Sequence, residues 1–405
     1  METQLQVAID VGSRIHRVAV GDANGRILDQ FDVHHTARGI DAFFDRIATL
    51  HPDTVAVAME GYNGWARPLD QRILAHGWTL FNVNNLKLAR YKEIFPAPAK
   101  SDQIDSLRML ELFRVRHSLH VARGVLQQVI EAPPENDKLK QLTRRRRQLV
   151  NDKVRLIARM IAALQAFCPG LLALTGAVDN VWFLNLLTAR ADLRKLPGLR
   201  ATTVRSLPGV GKKYAEIIRN WQKEARLSDD AEWTGPMLHS DAMRLLALRR
   251  EIGDMERQIA ATSSESGLAR RIDSIPGFGL VCSAELAGEI GSLARFRGEA
   301  GLAVYCGMAP LTNSSGASHG TKQPRQVNRH AKLAMMTAVA RHVKLVPESL
   351  RYYEKKRAEG KAHNQAIRCV GRQLMRIIWS MMDQERDYRN ASSFTPVSDI
   401  DSCQA

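Results

Sequence analysis

The chain has 405 residues, of which 45% are hydrophobic and 25% charged, so it is long enough for more than one folded domain. Its 58 basic residues outnumber its 42 acidic ones, and the resulting net charge of +16 favours a polyanionic partner. The 5 cysteines have no CxxC spacing, and no apolar run reaches the roughly 18 residues of a membrane span, so we expect a cytoplasmic protein without a zinc site or disulfide framework.

Short apolar runs alternate with helical patterns over the first hundred residues. The predicted strands are Gln4–Asp10, Arg17–Ala23, Ile27–His34, Thr54–Met59 and Thr79–Val83, and the predicted helices are Gly39–Leu50 and Trp65–His76. Asn24-Gly25 favours a hairpin turn between the second and third strands. Three antiparallel strands followed by alternating helix and strand predict an α/β domain of the RNase H-like (RuvC-like) type over residues 1–131.

Four carboxylates occupy three short contexts in this part of the chain. Asp10 and Glu60 end two of the apolar runs, while Asp102 and Asp105 share one face of a helix that Ser101 can cap. Gathered carboxylates repel one another unless a divalent cation lies among them, and their hard oxygen atoms suit Mg²⁺, with Mn²⁺ as a substitute. Singly, each acid is more often a turn or helix-start residue. Together, the four predict a metal site.

Long helical patterns follow the prolines at positions 133–134. Helices are predicted at Asp137–Ala166 and Asp241–Ile259, which suggests a mainly helical coiled-coil arm or dimerisation stalk over residues 132–267. Between them lies a tryptophan-containing insert, residues 168–240, whose shape the pattern leaves open.

Four consecutive arginines lie in the first of these long helices: Arg144, Arg145, Arg146 and Arg147. Such a run is usually a solvated helix face, but four successive side chains point to all sides of a helix. Because several lysines lie nearby, we predict that these arginines contact RNA or DNA phosphates.

Two glycine-rich segments resemble each other, Leu207–Gly211 and Ile275–Gly279, and each precedes a helical pattern. The second predicts a helix-hairpin-helix element, in which backbone N–H groups at Gly277 and Gly279 face a DNA phosphate. The first is either a degenerate copy of this element or a plain turn.

The segment Pro310–Gly320 is rich in serine and glycine, and by composition it is a flexible loop. A serine exposed on such a turn can also act as a nucleophile towards phosphorus. Nearby Lys322, Arg325 and Arg329 would then stabilise phosphate charge, or they form an ordinary backbone-binding patch. Helical patterns complete a C-terminal domain over residues 268–389, and residues 390–405 are expected to be a disordered tail.

Two sets of these motifs resemble IS110-family transposases. Asp-Val-Gly, Met-Glu-Gly and Lys-Ser-Asp-Gln-Ile-Asp resemble the family's DEDD domain, over most of residues 4–115. Pro-Gly-Phe-Gly, Ala-Glu-Leu-Ala-Gly-Glu-Ile-Gly, Tyr-Cys-Gly-Met-Ala-Pro and Ser-Ser-Gly resemble its C-terminal transposase domain, over most of residues 268–385.

The resemblance implies a DNA recombinase that acts in the bacterial nucleoid. It implies that Asp10, Glu60, Asp102 and Asp105 are the metal-binding set. It further implies that Ser315 forms a covalent phosphoserine link with DNA, with Ser314 as the neighbouring alternative. The expected partners are double-stranded DNA of the element ends and target, a structured guide RNA, and further copies of the chain in a homodimer or homotetramer.

Two other functions remain open at this point. One is a Mg²⁺-dependent, structure-specific nuclease of the Holliday-junction type, in which water attacks the phosphate and the serine is only a loop residue. The other is a nucleic-acid-binding protein without catalysis.

Overall fold

The computed structural model describes residues 4–62, 64–93, 102–118, 124–316, 318–324 and 327–389, with the side chains of residues 86, 92, 102, 103, 117, 118, 318 and 319 left undescribed. The chain forms two compact units, Met1–Glu131 (unit 1) and Ala132–Ala405 (unit 2). The predicted tail at 390–405 lies outside the described residues. No helix in the described ranges is long and apolar enough to cross a membrane.

Unit 1 is an α/β domain. Its strands are β1 (Gln4–Asp10), β2 (Ile15–Asp22), β3 (Ile27–His34), β4 (Thr54–Glu60), β5 (Thr79–Val83) and β6 (Leu126–Gln128). Its helices are α1 (Ala37–Ala48), α2 (Arg67–Ala75), α3 (Asn85–Lys92) and α4 (Asp102–Ser118). The predicted strands and helices are present with ends within two residues, whereas α3 and β6 were not predicted.

The six strands form one mixed sheet in the order β3-β2-β1-β4-β5-β6. β1, β4 and β5 are parallel, β2 is antiparallel to both β1 and β3, and β6 is antiparallel to β5. This order and these directions are compatible with an RNase H-like domain.

The two faces of the sheet carry side chains of different size. Large side chains such as Val7, Ile9 and Met59 face α1 and α2, whereas the alternate positions Ala8 and Ala58 belong to the core that α4 covers. Small residues at these positions allow α4 to approach the sheet closely.

Unit 2 begins with a pair of long helices. Its helices are α5 (Pro134–Phe167), α6 (Pro169–Leu172), α7 (Val181–Leu187), α8 (Ala201–Ser206), α9 (Lys212–Glu224), α10 (Ala231–Glu265), α11 (Gly267–Asp273), α12 (Gly279–Ile290), α13 (Glu299–Tyr305), α14 (Arg329–Leu345), α15 (Pro347–Ala358) and α16 (His363–Asp383). The ion pairs Arg145–Glu251 and Arg159–Asp241 show that α5 and α10 run antiparallel. The predicted long helices therefore pair within one chain.

The insert between α5 and α10 is a small helical subdomain. Its core combines apolar residues of α6–α9 with the end of α5 and the start of α10. Trp182 and Trp221 are buried there, while Trp233 is exposed.

Helices α11–α16 form a second core in unit 2, and α12 packs closely on α5. The approach of α12 requires Gly288, because a Cβ at this position would lie 2.4 Å from the backbone nitrogen of Lys140.

A two-stranded antiparallel hairpin lies between α13 and α14, formed by β7 (Leu311–Ser315) and β8 (Ser318–Lys322). The sequence had predicted a flexible loop here. That prediction is wrong, because the described part of the segment pairs in a regular register from Leu311–Lys322 to Ser315–Ser318.

Candidate active site

Two acidic residues lie at the carboxyl ends of neighbouring parallel strands in unit 1. β1 ends at Asp10 and β4 at Glu60, and the register pairs Ile9 with Met59, so the two acids are the next pair in line. Neighbouring strands lie about 5 Å apart, which brings both carboxylates within reach of one cation. Both residues are half-buried, and Asp10 takes part in a polar or electrostatic interaction.

The direction of α4 places its first turn near these strand ends. The Leu110 side chain lies against Gly21, and Arg114 lies against Gly25, both near the amino end of β1. α4 therefore runs from the carboxyl end of β1 towards its amino end. Asp105 precedes Leu110 by five residues, which is about 7.5 Å along the helix towards the acids of β1 and β4.

Asp105 is only 6% exposed, and its carboxylate lies 3.9 Å from Arg108 Nη1. The guanidinium offsets part of the free energy cost of burying this acid. Asp102 is the first residue of α4, but its side chain lies outside those described. Asp10 and Glu60 therefore lie at strand ends, as the sequence predicted, and Asp105 lies on the helix that covers the same face. Their assignment to one metal site stays a prediction.

No group of three or more acidic, histidine or cysteine side chains is placed to hold a metal ion in the part of the chain that the structure describes. The chemistry of the donor set nevertheless suits Mg²⁺ or Mn²⁺, because carboxylate oxygens are the hard ligands that these ions prefer.

The serine hairpin of unit 2 presents its two candidate nucleophiles on opposite sides. Both Ser314 and Ser315 are exposed, and Ser315 directly precedes the turn at Gly316, where φ is +54°. Side chains alternate along a strand, so adjacent residues point to opposite faces. Ser315 shares its face with Leu311 and with Lys322, the cross-strand partner of Leu311.

The Ser314 face is the one that adjoins a cavity in unit 2. This face includes Thr312 and its cross-strand partner Thr321. Thr321 lines a cavity of about 290 Å³ together with Arg368 and Arg372. The two serines therefore have different surroundings, which makes their roles separable by experiment.

Cations flank the hairpin. Lys322 and Arg329 are exposed, and neither forms an ion pair with another described residue. Arg325 lies outside the described residues.

A buried polar network that the sequence analysis missed anchors the segment after the hairpin. Glu289 of α12 is fully buried, and its carboxylate accepts hydrogen bonds from Arg144 at 2.6 and 2.8 Å and from Asn328 Nδ2 at 2.6 Å. The Asn328 side chain also accepts from the N–H of Ala331, which caps α14. The signal was present in the sequence, because Glu289 and Glu285 lie four residues apart in an otherwise apolar helix.

The pKa of Glu289 reflects this network. Burial opposes its ionisation, but the hydrogen bonds from Arg144 and Asn328 and the charges of Arg144 and Lys140 outweigh burial and lower the pKa. The carboxylate therefore stays ionised within the core, as an anchor between α5, α12 and the start of α14.

All four arginines of the Arg144–Arg147 run have carboxylate partners within unit 2. Arg144 and Arg147 pair with the buried acids Glu289 and Glu285 of α12. The other two pair with exposed acids of α10, as Arg145–Glu251 and Arg146–Glu256. The predicted phosphate contact thus competes with a structural use of these side chains that the sequence did not reveal.

The hairpin at Gly277 and Gly279 joins α11 to α12. A Cβ at Gly277 would lie 2.5 Å from the backbone nitrogen of His342, so α14 packs directly on this glycine. The Nδ1–H of His342 donates to the carbonyl of Pro276 at 2.7 Å. Gly279 has open space at its Cβ position. Of the two glycines predicted to face a phosphate, Gly277 instead faces a helix of its own unit.

Two family models match the chain. One, described as a transposase and named for the DEDD transposase of IS110, matches residues 7–169. The other, described as the transposase IS116/IS110/IS902 family, matches residues 269–354. The first match includes Asp10, Glu60, Asp102 and Asp105, and the second includes Ser315.

Proteins of several insertion elements are similar to the chain. It is 28% identical to the insertion element IS116 uncharacterized 44.8 kDa protein of Streptomyces clavuligerus, over 97% of this chain and 98% of that protein. It is 27% identical to the insertion element IS900 uncharacterized 42 kDa protein of Mycobacterium paratuberculosis, over 97% and 99% of the two chains. The transposase for insertion sequence element IS1111A of Coxiella burnetii is 25% identical over 36% of this chain and 41% of its own length.

Proposed function

The chain belongs to the IS110 family of transposases and is a DNA transposase, and we propose that it cuts and rejoins DNA through a covalent link to Ser315. The observation that supports the metal part of this proposal is that Asp10 and Glu60 end adjacent parallel strands of the unit 1 sheet. Asp10 and Glu60 are adjacent in register, and Asp105 comes from the helix that covers the same face.

These acids, with Asp102, would hold Mg²⁺, and Mn²⁺ would substitute for it. When bound, the ion supplies positive charge that stabilises a phosphate under attack and the oxygen that leaves it. Arg108 supports the site by balancing the charge of buried Asp105. Four carboxylates at one site also require a counter-charge, which a divalent cation provides.

The serine step is a phosphoryl transfer with balanced bonds. The Oγ of Ser315 forms a bond to phosphorus as its hydroxyl proton passes to water, and the bond from phosphorus to the 3′-oxygen of DNA breaks, so that this oxygen leaves and takes up a proton from water as a 3′-hydroxyl. The exposed position of Ser315 beside Gly316 supports this role, because a duplex phosphate can approach it. Lys322 on the same hairpin face and Arg329 at the start of α14 would stabilise the phosphate charge.

We propose that the DNA-bound assembly is a homodimer or homotetramer. A structured guide RNA is the second proposed partner, and the excess of 58 basic over 42 acidic residues supports it. In this proposal, neither DNA nor RNA binds through Arg144 or Arg147, because these side chains already pair with Glu289 and Glu285.

A comparison of Ser315→Ala with Ser314→Ala tests the nucleophile. The two residues are adjacent and exposed but face opposite sides of the hairpin, so each is the natural control for the other. Reactions on duplex DNA are stopped with denaturant, and the covalent protein–DNA adduct is measured and mapped by mass spectrometry. We expect Ser315→Ala to lose the adduct and recombination while still binding DNA, and Ser314→Ala to keep both.

Two other outcomes would assign a different nucleophile. Loss of the adduct only in Ser314→Ala would assign the nucleophile to that residue instead. Normal cleavage in both variants, with no adduct in the unmodified protein, would show that water attacks and that the enzyme is a Mg²⁺-dependent nuclease.

A further inference from the structure

The insert of unit 2 carries a basic surface that the proposed active site does not use. α8 and α9 pack together and are joined by the hairpin at residues 207–211. Residues 195–226 contain eight cations and two acids, a surplus of six positive charges. The cations are Lys195, Arg200, Arg205, Lys212, Lys213, Arg219, Lys223 and Arg226.

These eight side chains are exposed, and none of them pairs with an acid among the residues that the structure describes. On α9, Lys212, Arg219 and Lys223 lie at i, i+7 and i+11, which forms a stripe about 16 Å long, about 120° around the helix from the buried Ile218. Glu216 is the one acid in this stripe.

Several cations of the long helix α5 in the same unit have acidic partners. Arg145, Lys153, Arg155 and Arg159 of α5 each pair with an acid in unit 2. The cations of the α9 stripe differ from these, because they have no acidic partner among the described residues and Glu216 offsets only one of their three charges.

The stripe is held on a rigid support. The Tyr214 ring stacks on Trp182 with centroids 4.4 Å apart, and a Cβ at Gly209 would lie 3.3 Å from the Cβ of Trp182. The Trp221 side chain, on the inner face of α9, is buried. The aromatic rings of α9 thus serve the core, and the exposed face offers cations without rings on which bases could stack.

We propose that this face of α9, the tip surface formed by Lys212, Arg219 and Lys223, binds the phosphate backbone of duplex DNA. Cations in a row without stacking groups suit phosphates, which position a duplex without reading its bases. The tip surface therefore binds DNA independently of its base sequence. This inference goes beyond the proposed function, because it uses no active-site residue and needs only that the transposase binds DNA.

The experiment measures how the affinity of the full chain for a labelled 20-base-pair duplex of random sequence depends on salt. In the triple variant Lys212→Gln, Arg219→Gln and Lys223→Gln, we expect the slope of log Kd against log salt concentration to fall by about two to three, because each lost phosphate contact removes about 0.9. The loss should be equal for duplexes of different sequence. All three side chains are exposed, so far-ultraviolet circular dichroism should remain that of the unmodified protein.

The matched control removes three charges from exposed arginines that have acidic partners, with Arg155→Gln, Arg257→Gln and Arg351→Gln. This control should change the slope by less than about one. Equal slopes in the two triple variants would overturn the proposal, since the effect would then come from net charge alone. A tip variant that loses affinity for structured RNA but not for duplex DNA would overturn the assignment to DNA. Ser315→Ala should bind the duplex normally, which separates this test from that of the nucleophile.

Discussion

At the scale of single residues, strand parity places two acids far apart in the chain on one face of the unit 1 sheet. Asp10 follows Ala8 by two positions and Glu60 follows Ala58 by two, so all four side chains lie on one face. The alanines let α4 approach this face, and the acids continue it beyond the buried core. A shift of one residue in either strand would turn its acid to the other face, away from Asp105.

The acids should therefore act as one metal site. Asp10→Asn and Glu60→Gln keep the side-chain shape and remove one ligand charge each, so we expect DNA cleavage to fall more than about hundredfold in either variant, with DNA binding retained. Titration calorimetry should show weaker Mn²⁺ binding in both. The control is Asp41→Asn, an exposed acid of α1 that pairs with Arg72. Normal cleavage in both variants at limiting Mg²⁺ would refute the assignment.

The partners of the four arginines Arg144–Arg147 could not be predicted from the sequence. The number and order of the arginines are visible in the sequence, but the partners of Arg144 and Arg147 are acids more than 130 residues away, on a helix whose packing depends on the tertiary fold. Composition alone cannot distinguish an arginine that awaits a phosphate from one that already holds a carboxylate. By contrast, the acids at strand ends were predictable, because strand pattern and parity are local properties.

At the scale of elements, Arg144 and Arg147 join α5 to α12, whereas Arg145 and Arg146 join it to α10. Arg147 donates to the carboxylate of Glu285, whose side chain is only 3% exposed, whereas Arg145 pairs with Glu251, which is 45% exposed. Removing one partner of a buried pair leaves a charge without compensation, while an exposed pair is replaced by water. The two ion pairs differ little in sequence and greatly in environment.

Arg147→Gln should consequently lower the free energy of unfolding by about 2 to 3 kcal/mol. Arg145→Gln, two residues away on the same helix and with the same loss of charge, should lower it by less than about 1 kcal/mol. Urea unfolding of the full chain, followed by circular dichroism, measures both. If the two variants unfold at the same urea concentration, the buried pair does not hold the helices together.

The elements themselves were predictable to different degrees. Buried strands with apolar runs, such as Gln4–Asp10, were placed correctly, because burial imposes a visible pattern. The serine hairpin was missed, because all five residues of β7 are exposed and carry no apolar alternation. Its strands are held by cross-strand pairing rather than by side-chain burial, and pairing leaves little trace in composition.

At the scale of the whole molecule, each unit contains a buried histidine whose neutral form is favoured. Burial and the nearby charge of His35 lower the pKa of His16 in unit 1 below 6.5. Burial also lowers the pKa of His342 in unit 2 below 6.5, although its bond to Pro276 opposes this shift. The His342 Nδ1–H donates to a carbonyl, so its Nε2 accepts from the Ser349 hydroxyl at 2.9 Å, as the neutral ring requires.

These two histidines should make the folded protein less stable at acidic pH. Below about pH 6.5 the unfolded chain takes up protons that the folded histidines resist, so stability is fully present above this pH and is lost as pH falls towards the folded-state pKa values. We expect the urea midpoint to decrease from about pH 7.5 to about pH 5. His342→Gln can keep both hydrogen bonds without titrating and should reduce this decrease, whereas exposed His34→Gln should not. A midpoint that rises on acidification would contradict the argument.

The surplus of positive charge also predicts how the transposase behaves during purification. Many of the cations on α5 are paired with acids of unit 2, yet the chain as a whole keeps a net charge of +16, so much of its basic surface remains open to polyanions. If that surface holds a structured RNA, protein purified at low salt should carry RNA that ribonuclease removes and deoxyribonuclease does not. Because binding releases condensed counterions, the RNA should dissociate steeply as salt rises.

Cleavage of duplex DNA should stop after ribonuclease treatment and return when the same RNA is added back. Cleavage at full rate by protein that retains no RNA would show that the enzyme acts without a guide.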